Sequence, residues 1–198
     1  MYKSLFKNIL NPFYEGIVKR RDMLKYLSFL EKSQWWPYKK LREFQWKELS
    51  KLLEHSYEYV PYWRQQFDSL KFKPMDIKTY EDFCRLAIIG KNDIRNNYNS
   101  MRASNYRGKT WKKSTGGSTG QPLHFEYTPQ SYDWRVACSK RGYSWAGCED
   151  GTKQAYIWGT AIGKIPKLKK IKESLRYKFL RQKCFNCFSA NLFGIATS

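Results

Sequence analysis

The chain has 198 residues, 41% of them hydrophobic and 18% aromatic, and carries 37 Lys+Arg against 17 Asp+Glu, a formal net charge of +20. The apolar and aromatic content excludes an intrinsically disordered chain, since rings bury more surface than aliphatic side chains and imply a real core. The charge is either a solvated basic surface or an attractor of polyanions: nucleic acid, an acidic membrane surface or a polyphosphate ligand.

Taken in chain order, residues 1–70 read as helical. Leu24, Leu27 and Leu30 share one helical face, and Leu41, Phe44, Leu49, Leu52 and Leu53 share another. Trp35-Trp36-Pro37 separates the two, because the residue before a proline is pushed out of helical geometry. Pro61 ends the second helix and opens a short one, Tyr62 to Phe67. Short helices near Thr79–Cys84 and Lys91–Asn97 lead to a polar loop at 99–109. Trp111 to Ser114 reads as a strand entering a glycine-rich loop, and Leu123 to Tyr127 as the strand leaving it. Thr128-Pro129 caps a helix from about Gln130 to Ala146. A strand at Gln154–Trp158, a helix at Lys167–Arg181 and a strand at Cys184–Ser189 follow. Strands alternating with helices over 71–198 predict an α/β class: an N-terminal helical segment, then a mixed sheet with covering helices.

Cysteines 84, 138, 148, 184 and 187 are an odd set with no secretory signal ahead of them, which predicts reduced, buried structural thiols in the cytoplasm. Cys184-Phe185-Asn186-Cys187 is a lone C-x-x-C. Zinc would need two more ligands, and only the isolated His55 and His124 exist, so no metal site is expected. No apolar run approaches the roughly 20 residues of a membrane span. Weak contact of the first helix with a membrane surface stays open. The basic residues are densest from Lys164 to Lys172.

The stretch richest in chemistry is Thr115-Gly116-Gly117-Ser118-Thr119-Gly120. Glycines let the backbone turn sharply and bring its N–H groups close to an anion, and Ser and Thr hydroxyls add donors. It is neither a Walker A sequence nor a Rossmann fingerprint. On composition, a phosphate cradle and a flexible hairpin linker are both open.

Continued through Gln121-Pro122, this loop resembles the phosphate-binding signature of adenylate-forming (AMP-binding) enzymes. The surroundings narrow the resemblance to the phenylacetate–CoA ligase and capsular-polysaccharide CapK-like group. His55 to Phe67 is similar to a segment near the start of those proteins, as is Ile88 to Asn97. Ala146-Gly147 through Trp158-Gly159 resembles their glycine-bounded turn leading to a strand that ends in Trp-Gly. The four segments stand in the right order over residues 50–160.

The resemblance implies an ATP-dependent ligase that activates a carboxylic acid as its acyl-adenylate, with Mg2+ and, for the transfer step, CoA. It assigns Thr115, Ser118 and Thr119 as phosphate hydroxyls, with Gly116, Gly117 and Gly120 shaping the loop at 114–122. Gly116 stands where many members have Ser, and Gln121 and Leu123 where the wider superfamily often has Lys. The later elements are not found: the aromatic-Gly-x-Thr-Glu segment, the ribose-binding Asp, the hinge and the closing lysine. The chain is therefore expected to be the N-terminal part of an incomplete adenylate-forming domain, inactive alone, with a surface-polysaccharide context and an unidentified acid. The competing reading is a basic nucleic-acid-binding module without sequence specificity, resting on charge and interleaved aromatics.

Overall fold

A computed structural model describes residues 2–115, 122–158 and 167–186. The chain divides into two compact units, residues 31–132 and residues 1–30 with 133–198.

In the unit of residues 31–132, α3 (Tyr38–Tyr59) and α4 (Pro61–Ser69) meet at Val60, whose φ of −112° and ψ of 104° are extended. The cause is local: Pro61 disfavours helical geometry at the residue before it and is itself well placed in a first helical turn. Arg64 then reaches back so that its guanidinium donates to the carbonyls of Tyr57 and Glu58, placing a cation on the C-terminal end of α3. Leu53, Phe67, Phe72 and Ile77 form the core, with Trp46, Leu49, Tyr57, Phe83 and Leu86 packed around it. The core-facing stripe of α3 is thus Trp46, Leu49, Leu53 and Tyr57. Leu52, expected on that stripe, is exposed, because one residue along a helix is a rotation of about 100°. Thr79 caps α5 (Tyr80–Phe83): its hydroxyl accepts from the Asp82 N–H at 3.1 Å, and Asp82 accepts from the Thr79 N–H at 3.0 Å. Beyond α6 (Lys91–Asn96) the chain is tied to the α3–α4 corner: the Tyr62 N–H donates to Ser100 and the Ser104 N–H to Tyr59.

In the other unit, the N-terminal segment alternates α1 (Tyr2–Leu5) with wider i→i+5 π turns at Phe6–Leu10 and Phe13–Val18. Phe6 is fully buried against Phe179, ring centroids 5.2 Å apart, on α8 (Lys167–Leu180). Met23 and Tyr26 of α2 (Met23–Ser33) pack with Ala137 of α7 (Pro129–Trp145). Leu24, Leu27 and Leu30 line that cluster as the periodicity predicts. Arg21 bridges Glu15 at 3.4 Å and Asp133 at 3.8 Å, while Asp150 holds Asn11 and Lys140.

The strands differ from the sequence expectation of one mixed sheet. Among the described residues, β1 (Trp111–Ser114) pairs antiparallel with β2 (His124–Tyr127), and β3 (Gln154–Trp158) pairs parallel with β4 (Gln182–Asn186). The first pair is a local hairpin. The second is joined through α8, as a parallel pair must be. The expectation of buried cysteines is also corrected: Cys84, Cys138, Cys148 and Cys184 are free and exposed, and Cys187 lies outside the described residues. Cys138 follows the buried Ala137 on α7, and one helical step turns it outward.

Gly151 has φ +82°, and a Cβ there would lie 3.0 Å from Phe6 Cβ and 3.1 Å from Lys3 Cα. Gly151→Ala is therefore expected to destabilise the chain by about 1–3 kcal/mol through backbone strain and overpacking. Urea unfolding measures it; an unchanged midpoint would show that the N-terminal segment does not seat against this turn.

Candidate functional site

The hairpin carrying the glycine-rich run is in register from Trp111↔Tyr127 to Ser114↔His124. One further step closes it: the Thr115 N–H donates to the Leu123 carbonyl and the Leu123 N–H to Thr115 Oγ1, both at 3.0 Å. Residues 116–122 connect these two, a longer link than the roughly two to five residues a hairpin needs. The two strands flanking the run are thus adjacent, as expected. Thr115 stands at the mouth of the hairpin, its hydroxyl accepting one bond and keeping its proton to donate. Gly116, Gly117, Ser118, Thr119 and Gly120 lie outside the described residues.

Alternation along a strand sends the two upstream lysines to opposite faces. Lys112 sits across from Glu126 and Lys113 across from Phe125. At the base of the hairpin Trp111, Tyr127 and Tyr132 form an aromatic trio with centroid distances of 5.5, 5.7 and 6.3 Å. The Thr128 hydroxyl accepts from the Ser131 N–H at 3.1 Å and starts α7, as the Thr-Pro pair predicts.

The residue that the sequence reading missed is Glu126. Its carboxylate accepts from the Tyr98 hydroxyl at 2.8 Å and the Thr110 hydroxyl at 2.8 Å, and pairs with Arg102 at 3.2 Å. Hydrogen bonds from Thr110 and then Tyr98, aided by the charges of Arg102 and Lys112, hold the carboxyl below its ordinary value against the opposing effect of burial. The same bond raises the Tyr98 phenol. The only sequence signal was a Glu alternating with Phe125 and Tyr127 on a short strand; its partners come from elsewhere in the chain.

An open cleft of about 520 Å³, lined by residues including Glu58, Tyr59, Arg64 and Asp68, lies at the α3–α4 corner and shares no residue with the hairpin. Among the described residues no group of three or more His, Cys, Asp and Glu side chains is placed to hold a metal, so no described residue is assigned to Mg2+. No helix among them is long and apolar enough to cross a membrane.

No family model matches the chain. Four curated relatives do match it. All are phenylacetate–coenzyme A ligases. The one from Pseudomonas putida is 31% identical over 123 residues, 62% of this chain and 28% of the relative. That of Aromatoleum evansii is 32% identical over 102 residues, covering 50% and 23%, and that of Escherichia coli 30% identical over 126 residues, covering 62% and 29%. The chain therefore spans less than a third of the length of these relatives. The similarity supports the acid–CoA ligase family and leaves the CapK-like branch undistinguished.

Because Glu126 is held below the ordinary carboxylate value, the unfolded chain binds more protons than the folded one through that window. Its stabilisation is complete above the unfolded carboxylate pKa and is lost as pH falls through the folded value. Glu149, lowered by Lys3 first, and Asp82, lowered by the Lys78 N–H first, have the same sign. Urea midpoints measured from neutral to acid pH are expected to fall, and Glu126→Gln to lower the neutral value and flatten part of the slope. An identical slope in the variant would remove Glu126 from this role.

Proposed function

We propose that this chain supplies the phosphate-holding part of an ATP-dependent carboxylic acid–CoA ligase. The observation that carries the reading is the hairpin: a Gly/Ser/Thr run set at the open end of two paired strands, in a chain similar to phenylacetate–CoA ligases. Thr115, Ser118 and Thr119 would donate hydroxyl hydrogen bonds to the β and γ phosphates. Backbone N–H groups at Gly116, Gly117 and Gly120 would add donors without side chains in the way. ATP and Mg2+ would be the nucleotide and its counter-ion, and CoA the acyl acceptor. Such donors act by stabilising charge that develops at phosphorus during transfer.

The acid is a carboxylate of the aryl or aliphatic class. Within the CapK-like branch the same activation would serve surface-polysaccharide assembly. The relatives extend well beyond the matched segments, and groups that align the acid with the α phosphorus would come from that remainder.

Two measurements test the reading. A fluorescent ATP analogue should bind the chain and be displaced by ATP, and Thr119→Ala should weaken it. In a chimera that carries residues 50–160 of this chain in the Pseudomonas putida ligase, acid-dependent ATP–pyrophosphate exchange should fall about a hundredfold on Thr119→Ala, the loss expected for one aimed donor. A chimera indifferent to that substitution would end the assignment of the loop.

A further inference from the structure

We infer that the N-terminal helical segment, residues 2–20, docks on the surface of an anionic lipid bilayer through the apolar stripe Leu5, Ile9, Phe13 and Ile17. These four side chains are 44–65% exposed, and Val18 continues them at 56%. The opposite side of the same segment is where polar groups are buried: Asn11 is 2% exposed and Glu15 is 8% exposed. Asn11 donates to Asp150 at 3.0 Å, and Glu15 is paired with Arg21 at 3.4 Å, so the packed side is fixed by polar bonds as well as by Phe6. The segment thus carries large apolar side chains on its outward side as well as on the side that seats Phe6 and Tyr14 against Phe179.

The mixed helical geometry makes the stripe straight. An α turn takes fewer than four residues and a π turn more, so a segment that alternates them keeps a repeat of four on one side. Leu5, Ile9, Phe13 and Ile17 are that repeat.

Charge decides the occupant. The only acid between residues 2 and 20 is the buried Glu15, whereas Lys3, Lys7, Lys19 and Arg20 are exposed. Lys3 and Lys7 share Glu149 at 3.3 and 3.7 Å and remain about half exposed. Lys19 lies 5.4 Å from the Tyr14 ring centroid. An exposed surface made of apolar and cationic side chains matches the interface of an anionic leaflet, where apolar groups enter the acyl boundary and cations meet headgroups. A second copy of this chain would bring two bodies of charge +20 together, which opposes self-association. The helix α8, which packs on this segment through Phe179 and Phe6, leaves Leu168, Ile171 and Leu175 exposed beside Lys172, Arg176 and Lys178 and adds a second surface of the same chemistry.

Co-sedimentation of the full chain tests the inference, with vesicles of phosphatidylglycerol in phosphatidylcholine against phosphatidylcholine alone. The parent should pellet with the anionic vesicles only. The triple variant Ile9→Ser, Phe13→Ser, Ile17→Ser should lose about tenfold in partitioning. A control with three other exposed apolar residues changed, Leu52→Ser, Met75→Ser, Ile88→Ser, should bind as the parent does; both variants keep the net charge. Far-UV circular dichroism checks the fold, and Lys19→Gln with Arg20→Gln, which spares the stripe, should also weaken binding at low salt. Equal loss in the stripe and control variants, equal binding to neutral vesicles, or no pelleting of the parent would overturn the inference. So would a lipid-free dimer dissolved by the stripe variant, which would assign the face to a second copy.

Discussion

Fixing a loop rich in glycine costs backbone entropy at every residue, and most at the glycines. Whatever order it acquires must come from the frame, and in this frame Glu126 sets the register. It holds β2 to Tyr98, Thr110 and Arg102 at once. A one-residue slip of β2 would turn Glu126 to the other face and bring Phe125 or Tyr127 against three polar partners. The Thr115–Leu123 closure and the aromatic trio then define where the loop leaves and re-enters the strands. The carboxylate is structural, and the chemistry proposed for the loop depends on it.

What could be read from the sequence was what is decided locally. Pro37 and Pro61 mark helix boundaries through sterics that act on one neighbour. The Thr128-Pro129 pair marks a helix start, and glycines between two short alternating runs mark a hairpin. Each is realised within a residue or two. The pairing of strands beyond the hairpin was not legible, because alternation says which face a residue takes and not which strand lies beside it. The Glu126 cluster was hidden for the same reason: its hydroxyl donors lie 16 and 28 residues away in the chain. The likeness to ligases was legible because it rests on residue identity, and the matches to phenylacetate–CoA ligases support that family.

The acids explain how the basic excess is presented. Glu15, Asp133, Asp150, Glu149 and Glu126 are each engaged by a Lys or Arg. Asp82 is occupied by backbone N–H groups of its own turn. Acidic side chains thus act as fasteners at segment junctions, and much of the remaining lysine and arginine faces outward. A count of +20 becomes a field that draws anions in from solvent, a role that needs no defined readout.

That field and the glycine loop would act on a polyphosphate at different ranges. Long-range attraction raises the local concentration of any anion but cannot choose among them, and salt screens it. Selection has to come from short-range donors. Lys112 lies on the face of Glu126, whose carboxyl its charge helps to hold down, and Lys113 lies on the other face of the strand. Positions 121 and 123, Gln and Leu, carry no cation. With no cation at positions 121 and 123, hydrogen bonds from hydroxyl and backbone donors would carry more of the hold proposed for a phosphate there. Such bonds are directional, which makes their performance depend on how rigidly the strands are held, and so on the register that Glu126 secures.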